Sequence, residues 1–417
     1  PPFVLSLVPL RERIEMFNRY EDLHCYVPDS VQLAGAGSGP LQGKTFACKD
    51  LFAVEGHTSS FGHARWRETH AESAGTAPVV KRLLEAGASM TGLTKLDQLA
   101  YSLIGNVGEG ESPVNPLHPD RFTGGSSSGS ASAVAGELCD FALGTDTAGS
   151  IRVPAAACGL FSIRPTHGAL DPDGVLPLAP SFDVPGILAR DPGTLRNAFA
   201  VAAGSPAEAS PIEKVVLPTD CLEELSGVLA ETIVNLAGKA ERLGAQVEEG
   251  SFARFTSDEV ADLFARCQAR EIWATNGKWV AENLDVLAPD VVKRLERAES
   301  LSRSTSEEKA ADLAELERYR SDYAAIADIG TVTLLPVMAG LPPRRDADAD
   351  ELLEFRLGSF RWTAPSSLTG SPQVVASVAD LTSGQKHGVG ILGAPGADNA
   401  LLGLLNSFHG MVGAPVG

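Results

Sequence analysis

Apolar residues crowd the stretch from 41 to 54, LQGKTFACKDLFAV, which follows a Gly/Ser/Pro loop at 35–40 and reads as β-rich. From 77 to 86 (APVVKRLLEA) they fall at helical spacing and stop before Gly87, which predicts a helix. SMTGLTK at 89–95 predicts a short buried strand. A loop rich in Gly, Pro and Asn (105–125) leads into residues 126–138, whose small side chains predict a helix packed closely on a neighbour. Residues 140–144 then read as a strand, GTDTAGS as a tight turn and 159–163 as a further strand. This alternation predicts an α/β fold.

From about 251 to 329 the pattern changes to Ala, Glu, Arg and Leu at helical period, which predicts a helical subregion. VTLLPV (332–337) and QVVASV (373–378) read as strands that rejoin the sheet. No internal repeat is present, so one large domain over 1–417 with a helical cap is expected.

Composition narrows the class. With 44% hydrophobic and 21% charged residues, the chain has the profile of an ordinary globular protein. A formal charge of -19 repels phosphate backbones and anionic lipid, so no nucleic-acid or membrane partner is expected. The six cysteines (25, 48, 139, 158, 221 and 267) form no CxxC pair, which suits reduced thiols and a cytoplasmic setting. The eight histidines are scattered without ligand spacing, so no metal is expected. The start, residues 1–10, is apolar without a basic n-region and too short to span a bilayer, so export is not expected.

Candidate chemistry concentrates in residues 123–166, TGGSSSGSASAVAGELCDFALGTDTAGSIRVPAAACGLFSIRPT. A glycine-rich loop feeding a helix N-terminus suits either a phosphate or an oxyanion. The segment holds no lysine for a phosphate loop, and at Gly43-Lys44-Thr45 Ser38 stands where the first glycine is needed. In the second half, Thr147, Ala148 and Gly149 form a turn before Ser150, so successive N–H groups can converge beside its hydroxyl. A serine nucleophile needs a base, and spacing alone does not identify it. Lys49 is flanked by Phe46 to Cys48 and by Leu51 and Phe52, which suits a buried lysine of lowered pKa. The same position also fits a strand end pointing to water.

The segments GGSSSGSASAVA and GTDTAGSIRVPAAACGLFSIRPT resemble the amidase signature, and ACKDLFAV resembles that family's lysine strand. Similarity continues through TKLDQLAYS (94–102), SPVNP (112–116), TLLPV and TAPSSLTGSPQVVASVA, so it covers most of the chain. The resemblance implies an α/β/α sandwich with a large mixed central sheet covered by helices. It places the nucleophile on Ser150, a bridging serine with a cis peptide bond on Ser126 and the base on Lys49, with the Thr147–Ser150 backbone as oxyanion hole. It also implies hydrolysis of a small-molecule amide through an acyl-Ser150 ester, with no cofactor, and is compatible with a homodimer.

Departures from the family pattern mark where substrate choice is open. Ala148-Gly149 replaces the usual two glycines, TKLDQLA replaces an Asn-Met-Asp-Glu run with Lys95 and Gln98 near the expected pocket, and Arg164 replaces a frequent lysine. The signature lies nearest to the indole-acetamide hydrolase branch. Asp146 and Arg152 are read as supports of the turn, and Ser127, Ser128 and Ser130 as capping the helix and bonding to backbone, with any one of them, Ser127 foremost, a support for the bridging serine. Cys158 is read as core, His167 as a loop residue, and Phe61, Trp66, Tyr101 and Trp362 as packing.

Rival motifs lack context. GSSSG at 125–129 fits GxSxG with Ser127 as nucleophile, yet NPLHPDRFT is no apolar strand. SGQK (383–386) and GVGILG (388–393) match SxxK and GxGxxG without a helix start or a following βαβ unit. A carbamate or ester hydrolase, an amidotransferase subunit and a non-catalytic docking module remain as alternatives.

Overall fold

The computed structural model describes residues 22–108, 110–205, 210–338, 340–380 and 383–410. The apolar start at 1–10 lies outside them. Ten strands form one sheet among the described residues: β1 (Thr45–Lys49), β2 (Ser89–Thr94), β3 (Phe141–Asp146), β4 (Phe161–Arg164) and β5 (Val184–Ala189), then β6 (Lys214–Pro218), β7 (Gln246–Gly250), β8 (Thr331–Pro336), β9 (Gln373–Ala379) and β10 (Lys386–Gly393). Their order is β2-β1-β3-β5-β4-β9-β10-β8-β6-β7. The two ends of the sheet are parallel and the middle is antiparallel, so the sheet is mixed.

Ten longer or site-forming helices cover it: α1 (Pro78–Glu85), α2 (Ser128–Ala135), α3 (Arg152–Ala157), α4 (Pro192–Ala203), α5 (Gly227–Arg242), α6 (Asp258–Asn283), α7 (Pro289–Ser302), α8 (Ser306–Ala324), α9 (Ala349–Thr369) and α10 (Asp398–Gly410). Helices α2 and α3 touch one another over β3 and β4, while α1, α4 and α10 form a second series that also packs on the sheet. The result is the expected α/β/α sandwich. Strands β3 and β5 are buried at every position, as strands covered on both faces must be. At the heart of this region Phe46 of β1 stacks on its register partner Phe141 of β3, with ring centroids 5.4 Å apart.

The helical stretch expected over 251–329 contains α6, α7 and α8, inserted between β7 and β8. Helix α8 opens with a capping box between Thr305 and Glu308. Helix α9 packs on α6 and α8, extending the helical cluster beyond 329. Among the described residues no helix is long and apolar enough to cross a membrane.

One local expectation holds in part: Ser127 and Ser130 bond to backbone, but not as a helix cap. Ser127 is the N-cap of α2 but its side chain makes no capping bond. Its Oγ donates instead to Thr145 O at 3.3 Å, and Ser130 Oγ donates to Leu143 O at 3.0 Å. Small hydroxyls here fasten the helix to β3.

Candidate active site

Lys49 closes β1, between β2 and β3, and is fully buried. Its Nζ donates to Ser126 Oγ and to Thr145 Oγ1, each at 2.9 Å. The solvated alternative for this lysine is thereby removed. Burial lowers its pKa from 10.5 to about 7, against the opposing pull of Asp97, Asp146 and Asp183. A substantial fraction is therefore neutral near neutral pH.

The Gly125–Ser126 peptide is cis, as the resemblance implies. Two contacts fix the loop: Gly125 N–H donates to Leu103 O at 2.9 Å, and Asp97 N–H donates to Ser126 O at 3.3 Å. Gly125 lies against the Asp97 carboxylate so closely that a Cβ would overlap it. Asp97 Oδ2 in turn accepts from Gly105 N–H at 2.9 Å, joining the TKLDQLA segment to the long glycine-rich loop. Burial pushes the Asp97 carboxyl pKa up.

Ser150 lies on the turn between β3 and α3, and its carbonyl accepts from Ser127 N–H at 3.2 Å, which joins the two serine loops. Asp146 shapes this turn. Its Oδ1 accepts from Gly149 N–H at 2.8 Å and its Oδ2 from Ile151 N–H at 3.1 Å and Arg152 N–H at 3.3 Å. Arg152 adds Nε to Oδ2 at 2.9 Å and Nη2 to Oδ1 at 2.8 Å, while Arg164 Nη1 reaches Oδ1 at 3.2 Å. All three side chains are fully buried. Burial opposes ionisation of Asp146, but the two guanidiniums outweigh it and hold the carboxyl well below the usual range. Arg152 also anchors α9 through Thr363 O (2.8 Å) and reaches Gln373 Oε1 (2.5 Å).

The Gly149 N–H, expected among the oxyanion donors, is thus committed to Asp146. Among the described residues no acceptor is recorded for the N–H groups of Thr147, Ala148 and Ser150. Gly149 has φ +125°, and a Cβ there would sit 3.1 Å from both Thr363 Cγ2 and Val153 Cγ2. Ala148 is buried, and its carbonyl accepts from Thr363 Oγ1 at 2.6 Å.

Two cavities flank the turn. The larger, about 250 Å³, is walled by Leu51, Leu170, Val175, Leu176 and Leu178 and reaches Thr145, Thr147 and Asp183. A smaller cleft touches Ser150 itself, together with Ala148, Tyr101, Gln268, Arg356 and Phe360. Tyr101, expected to be packing, lines this cleft; His167 is a loop residue, as expected, on the rim of the larger cavity. Trp66 borders a separate cavity with Ser59 and His70, whereas Trp362 is buried. Lys95 and Gln98, expected near the pocket, line neither cavity. Lys95 Nζ donates to Glu111 O at 2.8 Å, and Gln98 Oε1 accepts from Ala288 N–H at 2.8 Å, so the first ties down a loop and the second the start of α7.

Sequence reasoning missed Thr145, the second partner of Lys49, and Asp183, whose Oδ1 accepts from Thr147 Oγ1 at 2.5 Å. The only signal for Thr145 was its place beside Asp146. Asp183 carried none, since its approach depends on β5 returning beside β3.

A family model described as Amidase matches residues 27–402. The chain belongs to the amidase family. Amide-bond hydrolysis is the chemistry that this membership assigns to it. Amidase 1 of Oryza sativa subsp. japonica is 34% identical over 411 residues, covering 92% of each protein. The translocon at the outer membrane of chloroplasts 64 of Pisum sativum is 38% identical over 264 residues, covering 62% of this chain and 44% of that protein. A solved amidase structure superimposes with a TM-score of 0.81 at 26% identity, covering 96% of this chain and 95% of the other.

Proposed function

We propose that this amidase cleaves its substrate through an acyl-Ser150 ester, with Lys49 as base and Ser126 as the proton bridge. The observation that carries the reading is the 2.9 Å hydrogen bond between buried Lys49 Nζ and Ser126 Oγ. Neutral Lys49 accepts the Ser126 hydroxyl proton while Ser126 accepts that of Ser150. Ser150 Oγ then bonds to the amide carbonyl carbon, and the oxyanion is received by the N–H groups of Thr147, Ala148 and Ser150. Gly149 and Asp146 hold that turn in shape, Arg152 pins it to α9, and Ser127 fastens the neighbouring serine loop to β3.

As the tetrahedral carbon collapses, the C–N bond breaks and the leaving nitrogen takes the proton back from the relay. Ammonia or an amine departs. Water then donates a proton along the same route and attacks the ester, the C–O bond to Ser150 breaks, and the carboxylic acid leaves. An ester or carbamate would follow the same path, since the site acts on the carbonyl carbon.

The similarity to the pea translocon protein favours a second reading, a docking domain without chemistry. The presence of Lys49, Ser126 and Ser150, with the first two hydrogen-bonded, argues for catalysis. Trapping with hydroxylamine separates them. An acyl-enzyme yields the hydroxamate from an amide substrate, and Ser150→Ala yields none; a wild-type protein that forms no hydroxamate and releases no acid from a broad amide panel is the docking case.

A further inference from the structure

Among the described residues Arg356 is a buried cation without an ion-pair partner of its own. It lies on α9, 9% exposed, and its Nε has no hydrogen-bond partner. The guanidinium is held between two aromatic rings, with Cζ 4.4 Å from the Phe360 centroid and 5.7 Å from that of Tyr101. Its neighbours differ: Arg294 is paired with Asp290 and Arg297 with Asp262, each at 2.9 Å. Among the described residues no carboxylate is paired with Arg356. Burial and the charge of Arg294 lower its pKa to about 10, so it is still protonated at neutral pH.

Gln268, 2% exposed and on α6, presents a second unmet group, an Oε1 without a partner among the described residues. Both residues line the cleft that Ser150 and Ala148 share with Tyr101 and Phe360. Buried charges and amides in folded proteins are satisfied by protein groups, by ordered water or by a ligand, and these two face the nucleophile. A planar guanidinium matches a carboxylate through two parallel N–H bonds, and a carboxamide oxygen asks for an N–H or O–H.

We propose that this cleft is a carboxylate subsite: the substrate is an amide that carries a free acid group, seated on Arg356, with Gln268 Oε1 accepting from a neighbouring donor on the same molecule. The inference rests on Ser150 being the nucleophile. The cleft, of about 10 Å³, also touches Ser150, so only the acid group enters it and lies a short chain from the scissile carbonyl, as in the monoamide of a short dicarboxylic acid. Apolar portions of the substrate extend into the larger cavity, which shares Ala100, Thr147 and Leu178 with the cleft.

The test measures kcat and KM for monoamides of three- to five-carbon dicarboxylic acids against alkanamides of equal length, roughly matched in size. Wild type is expected to favour the acid-bearing amide by about 100-fold in kcat/KM, the scale of a charge-assisted hydrogen-bonded pair. Arg356→Met removes the preference through KM, and Arg356→Lys keeps part of it. If Arg356→Met does not fold, glutarate protecting wild-type Ser150 from a neutral fluorophosphonate, with weaker protection in Arg356→Lys, supports the same assignment. Equal turnover of both substrates by wild type, or equal losses for both in Arg356→Met, overturns the subsite. The fluorophosphonate also keeps the two readings apart: labelled Ser150 without acid preference removes only the subsite, and unlabelled Ser150 removes the nucleophile on which it rests.

Discussion

Lys49 and Thr145 sit at the ends of neighbouring parallel strands, and the 2.9 Å hydrogen bond from Nζ to Oγ1 aims the amine at Ser126. Three side chains from three separate segments thus converge, with Lys49 and Ser126 fully buried and Thr145 on the wall of the larger cavity. Thr145→Val keeps the shape and removes the acceptor. It is expected to lower kcat/KM by about 10- to 100-fold, as loss of a hydrogen bond to an ionisable group does, with Ser150 still modifiable. Steady-state kinetics beside mass spectrometry of the labelled protein checks both halves.

The pH profile follows from Lys49. Only the neutral amine accepts a proton, and burial lowers its pKa to about 7, so kcat/KM should rise with pH through about 7 and level off above it. The stability sign is also defined. The folded pKa lies below that of the unfolded lysine, so the unfolded chain binds more protons between about 7 and 10.5 and stability rises with pH across that window. Lys49→Met removes this slope. Its melting point should exceed that of wild type most clearly below pH 7, by a few degrees, and the gap should narrow toward pH 10.

Breaking the Asp146 cluster should cost far more in stability than any exposed pair. Asp146→Ala leaves Arg152 and Arg164 buried beside one another without their shared acceptor. Removing one member of such a pair destabilises by about 3–5 kcal/mol. Denaturant titration measures it, and Glu224→Ala, which breaks only the half-exposed pair with Arg361, should lose roughly 1 kcal/mol or less.

The two residues before the nucleophile should respond in opposite ways. Gly149→Ala places a Cβ at φ +125° against Thr363 and Val153, which costs about 1–3 kcal/mol and tilts the turn. Activity should fall well beyond the loss of stability. Ala148→Gly leaves the turn's carbonyl bond to Thr363 in place and should retain kcat within about threefold, as an exchange that keeps the backbone donor. Parallel kinetics and thermal melts decide it.

Much of the site was legible because its segments are compact in sequence. Ser126 and Ser150 lie in glycine-rich turns whose small residues advertise close backbone approach, and Asp146 and Arg152 fall within the same run. Lys49 was ambiguous from its local sequence, since the β1 apolar run fits both a buried strand and one whose end meets solvent. Only its place between β2 and β3 decides the matter. Strand β5 escaped notice because Pro185 and Gly186 interrupt it, although both sit inside the antiparallel ladder with β3. Strand β7 (QVEEG) is a polar edge, so it shows no apolar pattern. Arg356 and Gln268 lie on helices far apart in the chain, and only tertiary packing brings them to Ser150.

The most direct test incubates wild type, Ser150→Ala, Ser126→Ala and Lys49→Ala with a fluorophosphonate and reads the mass of the intact protein. The relay predicts one covalent adduct on wild type, none on Ser150→Ala, and labelling slowed by at least about 100-fold in the other two, the scale of general-base assistance. Unchanged labelling of Ser150→Ala would contradict it and move the nucleophile elsewhere, to Ser127 first.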